Sequence, residues 1–288
     1  MDVKQLSGFL LVDKPAGITS FDVIRQLRRQ TGIRTFGHAG TLDPFATGLM
    51  LMAVNKYTRL LPLLDDADKE YQATLLLGKS STTGDPEGII TEEPDAAIQI
   101  EKMASLAKDV LRIDKLRPPI HSAIKVDGKR AYARARADED FELPERDSRI
   151  YSFMVLSYVW PELAYHCKVS KGTYIRSLSR WIAQYLGTTG YTAILRRTAI
   201  GKVTLDKANQ LADITTETIS AKLLSVLDIL PDVASITLTD EEFLRIRNGN
   251  SIACPGDNDE TVVVLDQGTE CRGIASRREN RLYPKVNL

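Results

Sequence analysis

The twelve residues Gly37-His38-Ala39-Gly40-Thr41-Leu42-Asp43-Pro44-Phe45-Ala46-Thr47-Gly48 set one carboxylate among glycines, threonines and a proline. Asp43 is the only residue of this stretch able to act as a negatively charged nucleophile. Glycine permits backbone conformations and close approaches that a β-carbon forbids, while Pro44 fixes its own φ and biases Asp43 towards an extended conformation. Such a loop holds a carboxylate out from a tight turn. The same residues also make an ordinary surface turn between a helix and the apolar run Leu49 to Val54, so the choice rests on the rest of the chain.

The chain has 288 residues, enough for one large domain or for a large and a small one. Its 43% apolar and 26% charged content is that of an ordinary soluble globular protein. Lysine plus arginine equals aspartate plus glutamate at 38 each, so any contact with nucleic acid must rest on local patches. The apolar run near the N-terminus is too short for a signal peptide, and no stretch approaches the roughly 20 apolar residues of a membrane span. A cytoplasmic location with no membrane partner is expected. Cys167, Cys254 and Cys271 are odd in number and far apart, which fits reduced thiols better than a disulfide framework. His38, His121 and His166 are equally scattered, so no metal site is expected.

Before the loop, Gly8 to Asp13 reads as a buried strand ending at the turn Lys14-Pro15-Ala16-Gly17. Thr19 or Ser20 then caps a helix with an apolar stripe of Phe21, Ile24 and Leu27. After the loop, Leu49 to Val54 reads as a strand and Asn55 to Leu64 as a short helix interrupted by Pro62. Lys69 to Gly78 alternates, with Tyr71, Ala73, Leu75 and Leu77 on one side, and predicts another strand. The polar stretch Ser80 to Asp95 reads as a loop and Ile98 to Leu111 as a helix.

Arg117 to Arg136 carries Arg117, Lys125, Lys129, Arg130, Arg134 and Arg136 against one acid, Asp127, with His121 and Tyr132 interleaved. Such a mixture grips phosphates with its cations and stacks bases on its rings. Asp138 to Asp147 reverses the sign and reads as a solvated excursion. Arg149 to Val159 and Leu163 to Ser170 read as consecutive strands around Trp160-Pro161-Glu162. Lys171 to Arg176 then enters a helix whose stripe holds Ile175, Leu178, Ile182 and Tyr185 or Leu186. An arginine beside such a stripe needs a counter-charge, and Asp43 is a candidate for Arg176. Leu195-Arg196-Arg197-Thr198 adds a basic pair, and Thr218 to Leu227 reads as a helix. A boundary falls near Pro231, followed by β-like runs at Ser235 to Leu238, Thr261 to Leu265 and Arg272 to Ala275.

Several of these stretches together resemble one family, in its order. They are Lys14-Pro15-Ala16-Gly17-Ile18-Thr19-Ser20, the Gly37 to Gly48 loop, Lys69-Glu70-Tyr71, Arg117-Pro118-Pro119 through Lys125, and Ser170 to Leu178. From about Gly8 to Gly201 the chain resembles the TruB family, the bacterial tRNA pseudouridine-55 synthases. The C-terminal segment resembles, more loosely, the small RNA-binding β-barrel called PUA. The resemblance implies an α+β fold: a catalytic domain over 1–230, with a central mixed, largely antiparallel sheet flanked by helices, and a PUA-like domain over 231–288. It implies that Asp43 is the catalytic carboxylate, that Tyr71 contacts the target base and helps remove its proton, and that Arg176 pairs with Asp43. Arg176 would keep that carboxylate ionised by lowering its pKa. His38 would stack within the opened RNA loop, with Lys14, Lys125, Arg136, Lys171 and Tyr174 as further RNA contacts.

The implied reaction is an isomerisation in which uracil is released from ribose at N1 and rejoined at C5. No atoms enter or leave overall, so no cofactor is expected. The implied partner is the T-arm of tRNA, bound by a monomer with no obligatory protein partner. Trp181, Ala183 and His121 depart from the family pattern, where an aspartate, a glycine and a larger aromatic are common. Three other readings compete: an RNA chaperone, an RNA-guided synthase working with partner proteins, and an aspartyl phosphotransferase or metal-dependent hydrolase. The last lacks a second carboxylate near Asp43 in sequence to hold magnesium.

Overall fold

The computed structural model describes residues 5–93, 98–122, 125–126, 129–130 and 143–288. Arg136, with much of the basic stretch, and residues 138–142 of the acidic excursion lie outside the described residues. Lys125 is placed through its backbone alone, in a short strand Lys125–Val126 paired with Lys129–Arg130.

Leu49 to Val54 is apolar at every position because both of its faces are covered, as expected of an interior strand. The strands β1 (Gly8–Lys14), β2 (Phe36–His38) and β3 (Thr47–Val54) run antiparallel, β3 lying against both of the others. Leu10, Val12, Met50, Met52 and Val54 enter one core together with helix α1 (Ser20–Thr31). Phe9, Leu11, Leu49 and Leu51 enter a second, shared with the 3-10 segment Asn55–Leu64. Of the two candidate caps it is Thr19 that caps α1, in a reciprocal box with Asp22.

Four further long strands join the main sheet: β4 (Lys69–Leu77), β5 (Ile150–Val159), β6 (Glu162–Val169) and β7 (Gly190–Ile200). Their order is β5-β6-β4-β7-β3-β1, with the short strand Asn209–Gln210 beyond β1. Neighbours along this path are antiparallel except β7 with β3 and β1 with Asn209–Gln210, so the sheet is mixed and largely antiparallel. Tyr71, Ala73, Leu75 and Leu77 of β4 face the first core, which helices α2 (Met103–Val110) and α3 (Ile175–Tyr185) cover.

The structure corrects the sequence reading in several places. Leu195 to Thr198 is not merely a basic patch: it belongs to β7, in the middle of the sheet between β4 and β3. The expected helix Thr218 to Leu227 is two short ones, Ile219–Lys222 and Val226–Ile229. Leu224 between them exchanges backbone hydrogen bonds with Phe9, 2.8 Å each way, and Ser225 starts the second helix as its cap. Ser80 to Asp95 holds a small hairpin, Lys79–Ser81 against Ile90–Glu92. Trp181, one of the departures from the family pattern, stacks on Tyr185 with ring centroids 5.2 Å apart.

The C-terminal region forms a curled five-stranded sheet from Ala234–Thr237, Ile252–Ala253, Asp259–Leu265, Cys271–Arg278 and Arg281–Asn287. Helix Asp240–Arg247, missed in the sequence, opens with a Thr239/Glu242 capping box. Val262 and Val264 point into a small local core, while Val263 and Leu265 join the second core of the main sheet. The module is therefore docked through shared apolar packing.

Where β7 runs parallel beside β3, the two backbones meet at Gly48. Its φ is +104°, and a β-carbon there would lie 2.3 Å from the Arg197 carbonyl oxygen. Gly48→Ala is expected to destabilise the fold by on the order of 3 kcal/mol, combining a disfavoured φ with a backbone collision. Thermal denaturation checks this, and an unchanged Tm would refute it.

Candidate active site

Asp43 is held from both sides before it meets anything in the cleft. Ser20 Oγ accepts from the Leu42 amide at 2.9 Å and donates to the Leu42 carbonyl at 3.1 Å. On the other side, the Pro44 carbonyl accepts from the Gly17 amide at 2.9 Å and from Lys14 Nζ at 3.1 Å. Gly40, at φ +91°, supplies the left-handed turn that brings the loop back. The carboxylate thus projects from an anchored turn, with its side chain 33% exposed.

The turn Arg176 makes into α3 carries its guanidinium beneath this carboxylate. Arg176 Nη2 donates to Asp43 Oδ1 at 3.3 Å, and Nε lies 3.0 Å from Oδ2 in an ion contact not aligned as a hydrogen bond. Nη1 donates to Asp85 Oδ2 and to the Thr83 carbonyl, both at 2.9 Å, and Nη2 reaches the His121 carbonyl at 2.9 Å. Asp85 is a second carboxylate that the sequence reading placed in a loop. It is 3% exposed and also accepts from the Glu87 amide at 3.0 Å and from Thr83 Oγ1. Arg176 is therefore shared between a buried acid that fixes it and a half-open acid that it orients.

This sharing corrects one electrostatic expectation. Arg176 does pull the Asp43 carboxyl downwards, but burial is the larger effect and the charge of Asp85 adds to it. The net result lies above the ordinary carboxylate range, because part of the arginine's charge is already answered by Asp85. A desolvated carboxylate is a stronger nucleophile than one fully hydrated, provided that the pH is high enough to ionise it.

Asp43, Tyr71, Lys171, Tyr174 and Arg176 all line one open cleft of about 1080 Å³. Tyr71 is buried, and its phenol is pushed up by that burial, while the charge of Arg197, opposite it in the β4–β7 register, acts the other way. Tyr174 stands at the N-terminus of α3, its phenol likewise raised by burial. Lys171 is exposed at the rim and paired with Asp66. His38 sits half-buried on β2 outside the cleft lining; burial, and then the charge of Arg197, favour its neutral form. Lys14 departs from the expected RNA contact. It is fully buried, and Nζ donates to the carbonyls of Pro15, Ile18 and Pro44 at 2.9, 2.7 and 3.1 Å, which leaves no surface for a phosphate. Burial lowers its pKa to about 8. Lys69, Leu195 and Arg197, which sequence reasoning missed, also line the cleft.

This geometry defines a class: an aspartate supported by arginine, beside a tyrosine, over the central strands of a mixed sheet. Similarity to solved structures gives the same fold. A Cbf5-Nop10-Gar1 complex aligns with a TM-score of 0.72 and 21% identity, covering 99% of this chain and 84% of that one. The archaeal box H/ACA sRNP Nop10-Cbf5 complex aligns at 0.68 and 20%, covering 97% and 85%. Residues 28–175 match the TruB family pseudouridylate synthase N-terminal domain. The tRNA pseudouridine synthase B of Leifsonia xyli subsp. xyli (strain CTCB07) is 45% identical over 72% of this chain and 71% of its own. That of Arthrobacter sp. (strain FB24) is 40% identical over 86% and 83%. The chain belongs to the TruB family.

Proposed function

We propose that the chain is a stand-alone tRNA pseudouridine-55 synthase, which isomerises the uridine at position 55 in the T-loop of tRNA. The observation that carries this reading is the Asp43 carboxylate at the cleft, held by the buried Arg176 with Tyr71 in the same cavity. Asp43 attacks either C6 of the base or C1′ of the sugar; the base is released, turned and rejoined through C5. Arg176 holds the attacking oxygen in place, and Tyr71 contacts the base and takes the C5 proton. The target bond is hidden in a folded RNA loop, so the nucleotide must be extruded at a cost of a few kcal/mol, offset by stacking and phosphate contacts.

His38 supplies stacking in the opened loop, and Tyr174 and Lys171 meet the RNA at the cleft, Lys171 by exchanging Asp66 for phosphate. Lys125 and Arg136 are further RNA contacts. Residues 231–288 form a PUA-like RNA-binding domain beside the catalytic domain of residues 1–230. The reaction adds and removes no atoms, so the residues of the chain suffice for it.

The test is tritium release from bare tRNA labelled at uracil C5, using the purified chain in the presence of chelator. The expected result is release of one equivalent per tRNA. No release overturns the reading, and release that depends on an added guide RNA or protein moves the chain to the RNA-guided class.

A further inference from the structure

Arg196 and Arg197 are neighbours on β7 with opposite fates. Arg196 Nη2 pairs with Asp13 at 2.6 Å. Arg197 is 1% exposed, and among the described residues no carboxylate forms an ion pair with it. Its Nε donates to the Leu49 carbonyl at 2.7 Å and its Nη2 to the Gly40 carbonyl at 3.1 Å. Directly across from it in the β4–β7 register stands Tyr71, whose phenol lies within reach of its charge. A buried cation without a counter-charge is strongly disfavoured, and a neutral donor would satisfy two carbonyls at a far lower desolvation cost. The charge therefore calls for an explanation beyond tethering.

We infer that Arg197 is a positioning residue for Tyr71: its buried guanidinium donates to the phenol oxygen and holds that oxygen in place as the acceptor of the C5 proton. This rests on the synthase reading above. Once C1′ has joined C5, C5 still bears a hydrogen that must leave. The C5–H electron pair becomes the second C5–C6 bond, and the proton goes to the phenolate oxygen of Tyr71, making a phenol. The displaced electrons leave with the Asp43 carboxylate if C6 was attacked, or settle on N1 if C1′ was. The phenol then yields its proton to water, and N1 takes one from water, so the balance closes.

A neutral phenol accepts a proton poorly, and the groups around Tyr71 work against its ionisation. Burial, Cys167 and Asp43 all favour the protonated form, and Arg197 alone among its named neighbours opposes them. The same charge pushes Lys14, His38 and Lys69 towards their deprotonated forms. One buried cation thus favours the deprotonated forms of the groups around it, the phenol of Tyr71 among them.

The experiment is single-turnover conversion of tRNA bearing hydrogen or deuterium at uracil C5, by the parent, Arg197→Met, Arg197→Lys, Tyr71→Phe and the double variant Tyr71→Phe/Arg197→Met. Arg197→Met is expected to slow conversion by ~100-fold, the lower end for loss of proton-transfer assistance, and to enlarge the deuterium isotope effect. Arg197→Lys restores part of the rate. In the Tyr71→Phe background the Met change costs less than about 3-fold, because the group it acts through is gone. Multiplicative losses in the double variant, or an isotope effect unchanged in Arg197→Met, overturn the inference. If Arg197→Met does not fold, the same cycle run with Arg197→Lys decides it. A parent with no activity overturns the synthase reading instead, so the two failures are distinct.

Discussion

Asp43→Asn is expected to reduce single-turnover tritium release by roughly 10⁵-fold while leaving tRNA binding and folding intact. The amide keeps the shape and an oxygen acceptor for Arg176 Nη2, so the loop anchored by Ser20, Gly17 and Lys14 has no reason to move. Arg176 also keeps Asp85, its more deeply buried partner. The effect on stability has the opposite sign from that on activity. Burial, and then Asp85, hold the Asp43 carboxyl above its ordinary range despite Arg176. A carboxyl raised in the folded state stabilises while protonated, below the unfolded value of about 4, and that contribution is lost as pH rises through the folded pKa. Asparagine does not titrate. The Tm of the variant relative to the parent is therefore expected to climb as pH rises from about 4 through the folded pKa. A variant less stable than the parent at the upper end would make Asp43 a structural residue, and residual activity near that of the parent would remove it as the nucleophile.

The sequence disclosed those parts of the molecule whose residue patterns are local. Leu49 to Val54 and the alternation through Tyr71 to Leu77 follow from which faces are buried, and both strands lie where their patterns put them. That Arg176 needs an acid was legible from the apolar stripe beside it, and the family resemblance then singled out Asp43 from the candidates. Asp85 was not legible, because a lone aspartate among Ser, Thr, Gly and Pro has the composition of any turn. Its burial comes from tertiary contact with α3, 91 positions away. Strand β7 was hidden for a related reason. Arg197 occupies an inward position that a two-residue pattern assigns to an apolar side chain, so the alternation is broken where the site needs a charge. The direction of the Asp43 shift was missed together with Asp85, since an arginine answering two acids supports each less than it would one.

That sharing makes Asp85→Asn the second informative change. Its expected result is a fall in the conversion rate of about 100-fold, a lower-pH acid limb, and a less stable protein. The two kinetic effects have different origins and are read separately. Asp85 is one of the causes raising the Asp43 carboxyl, so its removal shifts the balance towards Arg176 and lets Asp43 ionise at lower pH. Well above the acid limb Asp43 is already ionised in both proteins, so this gain contributes nothing there. What remains is the loss of placement. Arg176 Nη1 exchanges a charged acceptor at 2.9 Å for a neutral amide, and the guanidinium that orients the Asp43 oxygens is held at that end by neutral acceptors alone. Misplacing a reacting group by about 1 Å is enough for a loss of this size. Removing one partner of a buried ion pair costs roughly 3–5 kcal/mol; because Arg176 retains Asp43 and two carbonyls, the lower end is expected. Rate against pH and thermal melting measure all three. An acid limb that stays in place or moves up would sink the electrostatic part, and a full rate on the plateau would sink the positioning part.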